Sequence, residues 1–350
     1  MNMPVNSPKV YINNINEQNL LEEIQNGLEY IQANEIINED SVIFIKPNLT
    51  DFVHKPGITT TPQMIKAVIE ALSPRVKKIF VGESDGGNYS YSADTSLKNH
   101  GVFDVARHFP NVEVVNLSKL PRTRVTETVC GKNVWVDFPD LLINEIDCLV
   151  SVPVLKTHAM THGTFSIKNL WGCYPDSMRL LYHKNLDYKL ALISKLTKNK
   201  IQIIDGFWAL DGHGPMEGTP IKTNKILISN DPVAVDSSAA YLMNLDKSKI
   251  GHLDISEQFG LGISDINKIQ FNKDVHKEKL QKFKPYKVRL DYFSVLLFKS
   301  EILSKMVLSS PITPLIYKVV HLSRPKTKEH TALPIIKFIV ILNESKYLVG

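Results

Sequence analysis

The stretch Cys148-Leu-Val-Ser-Val-Pro-Val-Leu-Lys156-Thr-His158-Ala-Met-Thr-His162-Gly-Thr-Phe-Ser-Ile-Lys168-Asn169-Leu-Trp-Gly-Cys173 decides how this chain is read. It begins as an apolar strand, Cys148 to Val154. Within about twenty residues it then places two lysines, two histidines and an asparagine, in the manner of a buried strand feeding the floor of a site. Such a floor suits an anionic ligand, a metal, or both.

Working outward, short apolar and β-branched runs alternate with longer amphipathic ones. Strands are expected at Lys9–Asn13, Val42–Ile45, Lys78–Val81, Val112–Asn116, Gln202–Ile204 and Ile226–Ser229. Helices are expected over Glu17–Ala33, Pro62–Leu72, Leu186–Leu196 and Pro232–Met243, with two short ones in Ser92–His108. The alternation predicts an α/β fold, a mostly parallel sheet with helices on both faces. Val125–Val136 reads as a β-hairpin insertion turning at Gly131-Lys132. The domain division expected is 1–272 for the α/β part and 273–350 for a basic, helix-rich C-terminal extension packing on it.

Composition supports that division. The chain has 350 residues, 43% apolar and 22% charged, with a net charge of +5. From Lys273 to Gly350 there are 15 Lys/Arg against 6 Asp/Glu, so the tail is strongly basic and the rest slightly acidic. Val288–His321 is basic and amphipathic enough for peripheral contact with an anionic membrane surface, or to cover the sheet. Nucleic-acid binding is not expected, because the positive charge is interleaved with acids. No run of about 18 apolar residues predicts a membrane span. The start of the chain, Met1 to Val10, lacks a basic and apolar leader, so a cytoplasmic location is expected. The cysteines Cys130, Cys148 and Cys173 form no CxxC pair, so no iron–sulfur cluster is expected.

In open α/β sheets ligands bind beyond the carboxyl ends of the strands. Five expected strand ends carry polar residues: Lys46-Pro47-Asn48, Gly82-Glu83, Lys156-Thr157-His158, Asp205-Gly206 and Asn230-Asp231. Lys46 reads as a lysine aimed at an anion and oriented by Asn48, or as a plain strand exit ended by proline. Lys156 with Lys168 and Asn169 reads as a phosphate or carboxylate site, or as a set of structural ion pairs. His158 and His162 share helical spacing, although their Thr- and Gly-rich surroundings are poorly helical. His183 stands alone. Asp231 before Pro232 is a natural helix N-cap.

These motifs, with Leu170-Trp171-Gly172, the Gly214-Pro215 loop with Gly218, and Asp231-Pro-Val-Ala-Val-Asp236, resemble in one order the DUF362 family over roughly residues 40 to 245. Many members carry a ferredoxin-like cysteine cluster, which this chain lacks. The resemblance implies a shared site map and leaves the chemistry open. The expectation is an enzyme acting on a small anionic ligand. Lys46, Asn48, Lys156, Lys168 and Asn169 would bind it, and His158, His183 and Asp205 would move protons. Asp211 and Asp236 are candidate ligands for a divalent metal. The alternatives are a non-catalytic metal- or cofactor-binding maturation protein and a membrane-surface protein.

Overall fold

The structure is a computed structural model that describes residues 7–288, 291–292, 300 and 302. The chain divides into two compact units, Met1–Ser304 and Lys305–Gly350, and every described residue belongs to the first. Most of the basic, amphipathic region 288–321 and the rest of the expected helix-rich extension lie outside the described residues.

The strands are β1 (Lys9–Asn14), β2 (Val42–Pro47), β3 (Lys78–Glu83), β4 (Val112–Asn116), the hairpin β5 (Arg122–Val129) and β6 (Lys132–Pro139), β7 (Cys148–Val152), β8 (Val154–His158), β9 (His162–Thr164), β10 (Asn199–Asp211), β11 (Thr219–Ser229) and β12 (Gln270–Phe271). The α-helices are α1 (Leu20–Tyr30), α2 (Pro62–Leu72), α3 (Ala93–Asn99), α4 (Val102–Ala106), α5 (Ser166–Asn169), α6 (Leu186–Leu196), α7 (Pro232–Leu242) and α8 (Gly251–Gln258). Ten strands form one sheet in the order β12-β1-β11-β10-β7-β2-β3-β4, with β8 beside β10 and β9 beside β8. Most pairings are parallel; β11 runs antiparallel to both β1 and β10, and β9 to β8.

Period-two alternation explains the two-faced burial. Val10, Ile12, Phe44, Leu149, Ile204 and Leu227 face one core, which α6, α7 and α8 close with Leu190, Val235 and Leu253. Tyr11, Ile43, Ile45, Val150, Ile203 and Ile228 face the other, closed by α1 and α2 with Ile24, Leu28, Met64 and Val68. The helix α2 starts where its local chemistry dictates. The Thr61 hydroxyl accepts the Met64 N–H, and Pro62 occupies the first turn.

Two expectations, on the hairpin turn and on Asp231, are corrected. The hairpin forms a separate two-stranded sheet, as an insertion, but its turn is Cys130-Gly131, because Val129 pairs with Lys132 and both turn residues have positive φ. Residues 275–283, at the start of the expected extension, pack on the first core: Val275 and Phe283 are buried, and the Phe283 N–H reaches the Met243 carbonyl. The antiparallel course of β11 carries Asn230 and Asp231 away from the edge at which β2, β3 and β7 end. Asp231 therefore does not join that row of strand ends. Its carboxylate caps α7 instead, accepting the Val233 and Ala234 amides at 2.8 Å.

Candidate functional site

The register of the parallel strands brings distant polar residues together. Lys46 lies opposite Ser151, Pro47 opposite Val152, and Ile45 opposite Val81, so β2, β3 and β7 end on one level. Lys46 is fully buried, and its Nζ donates to Glu83 Oε1 at 2.5 Å and to the Pro47 carbonyl at 2.6 Å. Glu83 also accepts the amides of Leu49 and Ser84. The chain crosses directly above this ion pair at Gly172. A Cβ there would stand 2.8 Å from Glu83 Oε2 and 2.9 Å from Lys46 Nζ, so a side chain would displace the ends of the paired groups.

Lys156 is equally buried but has no carboxylate partner. Its three N–H groups go to Asn48 Oδ1 (3.1 Å), Thr50 Oγ1 (3.2 Å) and the Ile58 carbonyl (2.7 Å). Burial, aided by the charges of Lys168 and Lys46, holds its ammonium down at about 7. Asn169 donates to the Lys46 carbonyl and to Ser151 Oγ, tying α5 to the sheet. Lys46, Asn48, Lys156 and Asn169, expected to bind ligand, thus direct these polar atoms to protein partners. The physical reason is desolvation: a lysine at a strand end with no water must find oxygen acceptors nearby.

The acids are occupied in a similar way. Asp205 accepts the Thr61 amide at 2.7 Å and the Phe207 amide at 3.0 Å, fastening α2 to β10, and burial pushes its carboxyl up to about 6. Asp236 accepts the Ser166 and Ile167 amides, and burial pushes it up to about 8 against the pull of those two donors. Asp211 accepts the Lys284 amide. Asp211 and Asp236 serve different elements, and no group of three or more His, Cys, Asp and Glu side chains arranged to hold a metal occurs among the described residues. His158 and His162 face each other across the β8–β9 turn instead of sharing a helical face.

What remains is a cluster around Lys168. Lys168 is half-buried, and among the described residues it has no hydrogen bond or ion pair. Burial and then the Arg179 charge hold its ammonium down at about 8, with Asp187 opposing. Its charge acts on three buried or half-buried imidazoles. Burial first and Lys168 second hold His158 well below its ordinary value and His183 and His252 down to about 3. His158 Nδ1 accepts the Met160 amide at 3.0 Å, so its proton sits on Nε2. His183 Nδ1 stands 3.2 Å from the Arg179 and Leu180 carbonyls, which only accept, so its proton sits on Nδ1. Trp171 packs edge-on against His183, with ring centres 5.3 Å apart, and stacks on Tyr174.

Of the expected site residues, Lys168, His158 and His183 are thus brought together. His252 was missed. It comes from α8, far along the chain, and its only local signal is the preceding Gly251.

The model of the domain of unknown function DUF362 matches residues 43–241, more than half of the chain. The thylakoid-associated protein sll1697 of Synechocystis sp. is 25% identical over 236 residues, spanning 63% of this chain and 68% of that protein. A crystal structure of a Thermotoga maritima protein aligns over 70% of this chain and 60% of its own length, at 10% identity and a TM-score of 0.36. No helix among the described residues is long and apolar enough to cross a membrane. By its matched span and its ordered motifs, the chain belongs to the DUF362 family.

Proposed function

We propose that this protein is a cytoplasmic enzyme that binds a small oxyanion, phosphate or carboxylate, at Lys168, with His158 and His183 as its proton-handling groups. The observation that carries this reading is the Lys168 ammonium, which has no hydrogen bond or ion pair among the described residues and whose charge acts on three buried or half-buried imidazoles. An anion on Lys168 offsets the second cause of their suppressed ionisation, after burial, so ligand binding itself raises the histidines toward the range in which they exchange protons. His158 carries its proton on Nε2 and His183 on Nδ1, so the two rings are opposite tautomers. The buried free thiols of Cys148 and Cys173 are in keeping with a reducing compartment.

The test is thermal unfolding of wild type and Lys168→Met with phosphate and, separately, acetate. Wild type is expected to gain stability with ligand concentration and Lys168→Met to gain none. Identical responses of the two proteins sink the reading.

A second reading, peripheral membrane association, draws on the basic tail and on the thylakoid association of the Synechocystis relative. Co-sedimentation of the full-length chain with anionic vesicles, lost at high salt, is its expected result. Equal binding to neutral vesicles removes it.

A further inference from the structure

His252 is the member of the Lys168 cluster to which no motif points. It occupies the second position of α8 and is fully buried. Neither ring nitrogen has a hydrogen-bond partner. The carboxylate of Asp187 stands 3.8 Å from Nδ1, beyond hydrogen-bond range. The Asp187 Oδ2 lies where a Cβ on Gly251 would be only 2.6 Å away, and the Asp187 charge also acts on Lys168. The ring therefore keeps one N–H donor and one lone pair unsatisfied in the protein interior, an arrangement folding disfavours unless something else uses them.

Two observations say what does. The short helix α5, which carries Lys168, packs against α8. Lys168 is also the charge that acts on His252 after burial itself. An ammonium with no hydrogen bond or ion pair among the described residues and an imidazole with no hydrogen-bond partner thus stand on two helices packed against each other. We propose that His252 contacts the ligand: its ring N–H and the Lys168 ammonium bind the same oxyanion of the substrate. A neutral donor suits this position, because it adds a directed hydrogen bond without a second cation to repel Lys168. The inference rests on the anion reading of the Lys168 site and adds a residue to it.

The experiment measures phosphate and acetate affinity by calorimetry for wild type, His252→Leu and His252→Gln, with ligand-free melting of each. His252→Leu is expected to lose about ten-fold or more in affinity. It should melt no lower than wild type without ligand, since an unsatisfied polar ring has gone. His252→Gln, which keeps an N–H, is expected to retain most of the affinity. Wild-type affinity in His252→Leu overturns the proposal and leaves the Lys168 reading standing. Should His252→Leu not fold, wild type labelled with 15N-histidine decides. The His252 signal, identified by its absence in His252→Gln, moves on ligand addition if the proposal holds. A signal unmoved while Lys168-dependent binding persists refutes it. If wild type binds neither phosphate nor acetate, the anion reading fails and this inference falls with it.

Discussion

The carboxylate of Asp236 accepts the backbone N–H of Ser166 at 2.7 Å, across seventy positions of sequence. Its second oxygen takes the Ile167 amide at 3.0 Å. The four-residue helix α5 is too short to be stable by itself, so this contact from α7 fixes the turn on which Lys168 stands. Asp236→Ala leaves two buried amides without acceptors. The expected loss is about 2–4 kcal/mol in urea unfolding, with a weaker phosphate response. Unchanged stability would show that the amides find other partners.

Lys46 and Glu83 form a buried pair in which each oxygen of the carboxylate also takes a backbone amide. Lys46→Met alone strands Glu83 without its cation. It should cost about 3–5 kcal/mol. Lys46→Met combined with Glu83→Leu should cost less than the sum of the two single variants, which a double-mutant cycle reads directly.

Gly172 passes over that same pair. Gly172→Ala places a methyl group within 3 Å of both charges. Destabilisation of about 1–3 kcal/mol is expected, measured by denaturant midpoint. A neutral result would mean that α5 and the residues after it can lift from the sheet.

Lys156 supplies the pH dependence. Its folded value of about 7 lies below the ordinary 10.5. Between those values the unfolded chain holds a proton that the folded one has released. Stability from this residue is therefore complete above about 10.5 and is lost as the pH falls through 7. The stability of wild type relative to Lys156→Met should rise with pH from 7 toward 10, by at most about 1.4 kcal/mol per unit. A gap independent of pH would mean that the buried lysine stays charged.

Much of the scaffold was legible because its signals are local. The helices Pro62–Leu72 and Leu186–Leu196 occupy the expected residues, since apolar spacing and, for the first, a threonine cap with proline act within one turn. The strand β4 is likewise where expected. The direction of β11 was not legible from its own residues, because alternation is the same in either direction. The short Gly-rich connection between Asp211 and Thr219 was the available signal, since a parallel return needs a crossover of a dozen residues or more.

Sequence alone determined that lysines and histidines follow buried strands, and hence that charge must be accommodated at the sheet's edge. Which charges are neutralised was decided by tertiary structure. Lys46 meets Glu83 because β2 and β3 pair in one register, and Lys156 meets Asn48, Thr50 and Ile58 because β8 lies against the loop after β2. Lys168 is left over, and His252 reaches it from α8. Ion pairing depends on distance in space, and only the packing of elements far apart in sequence sets that distance.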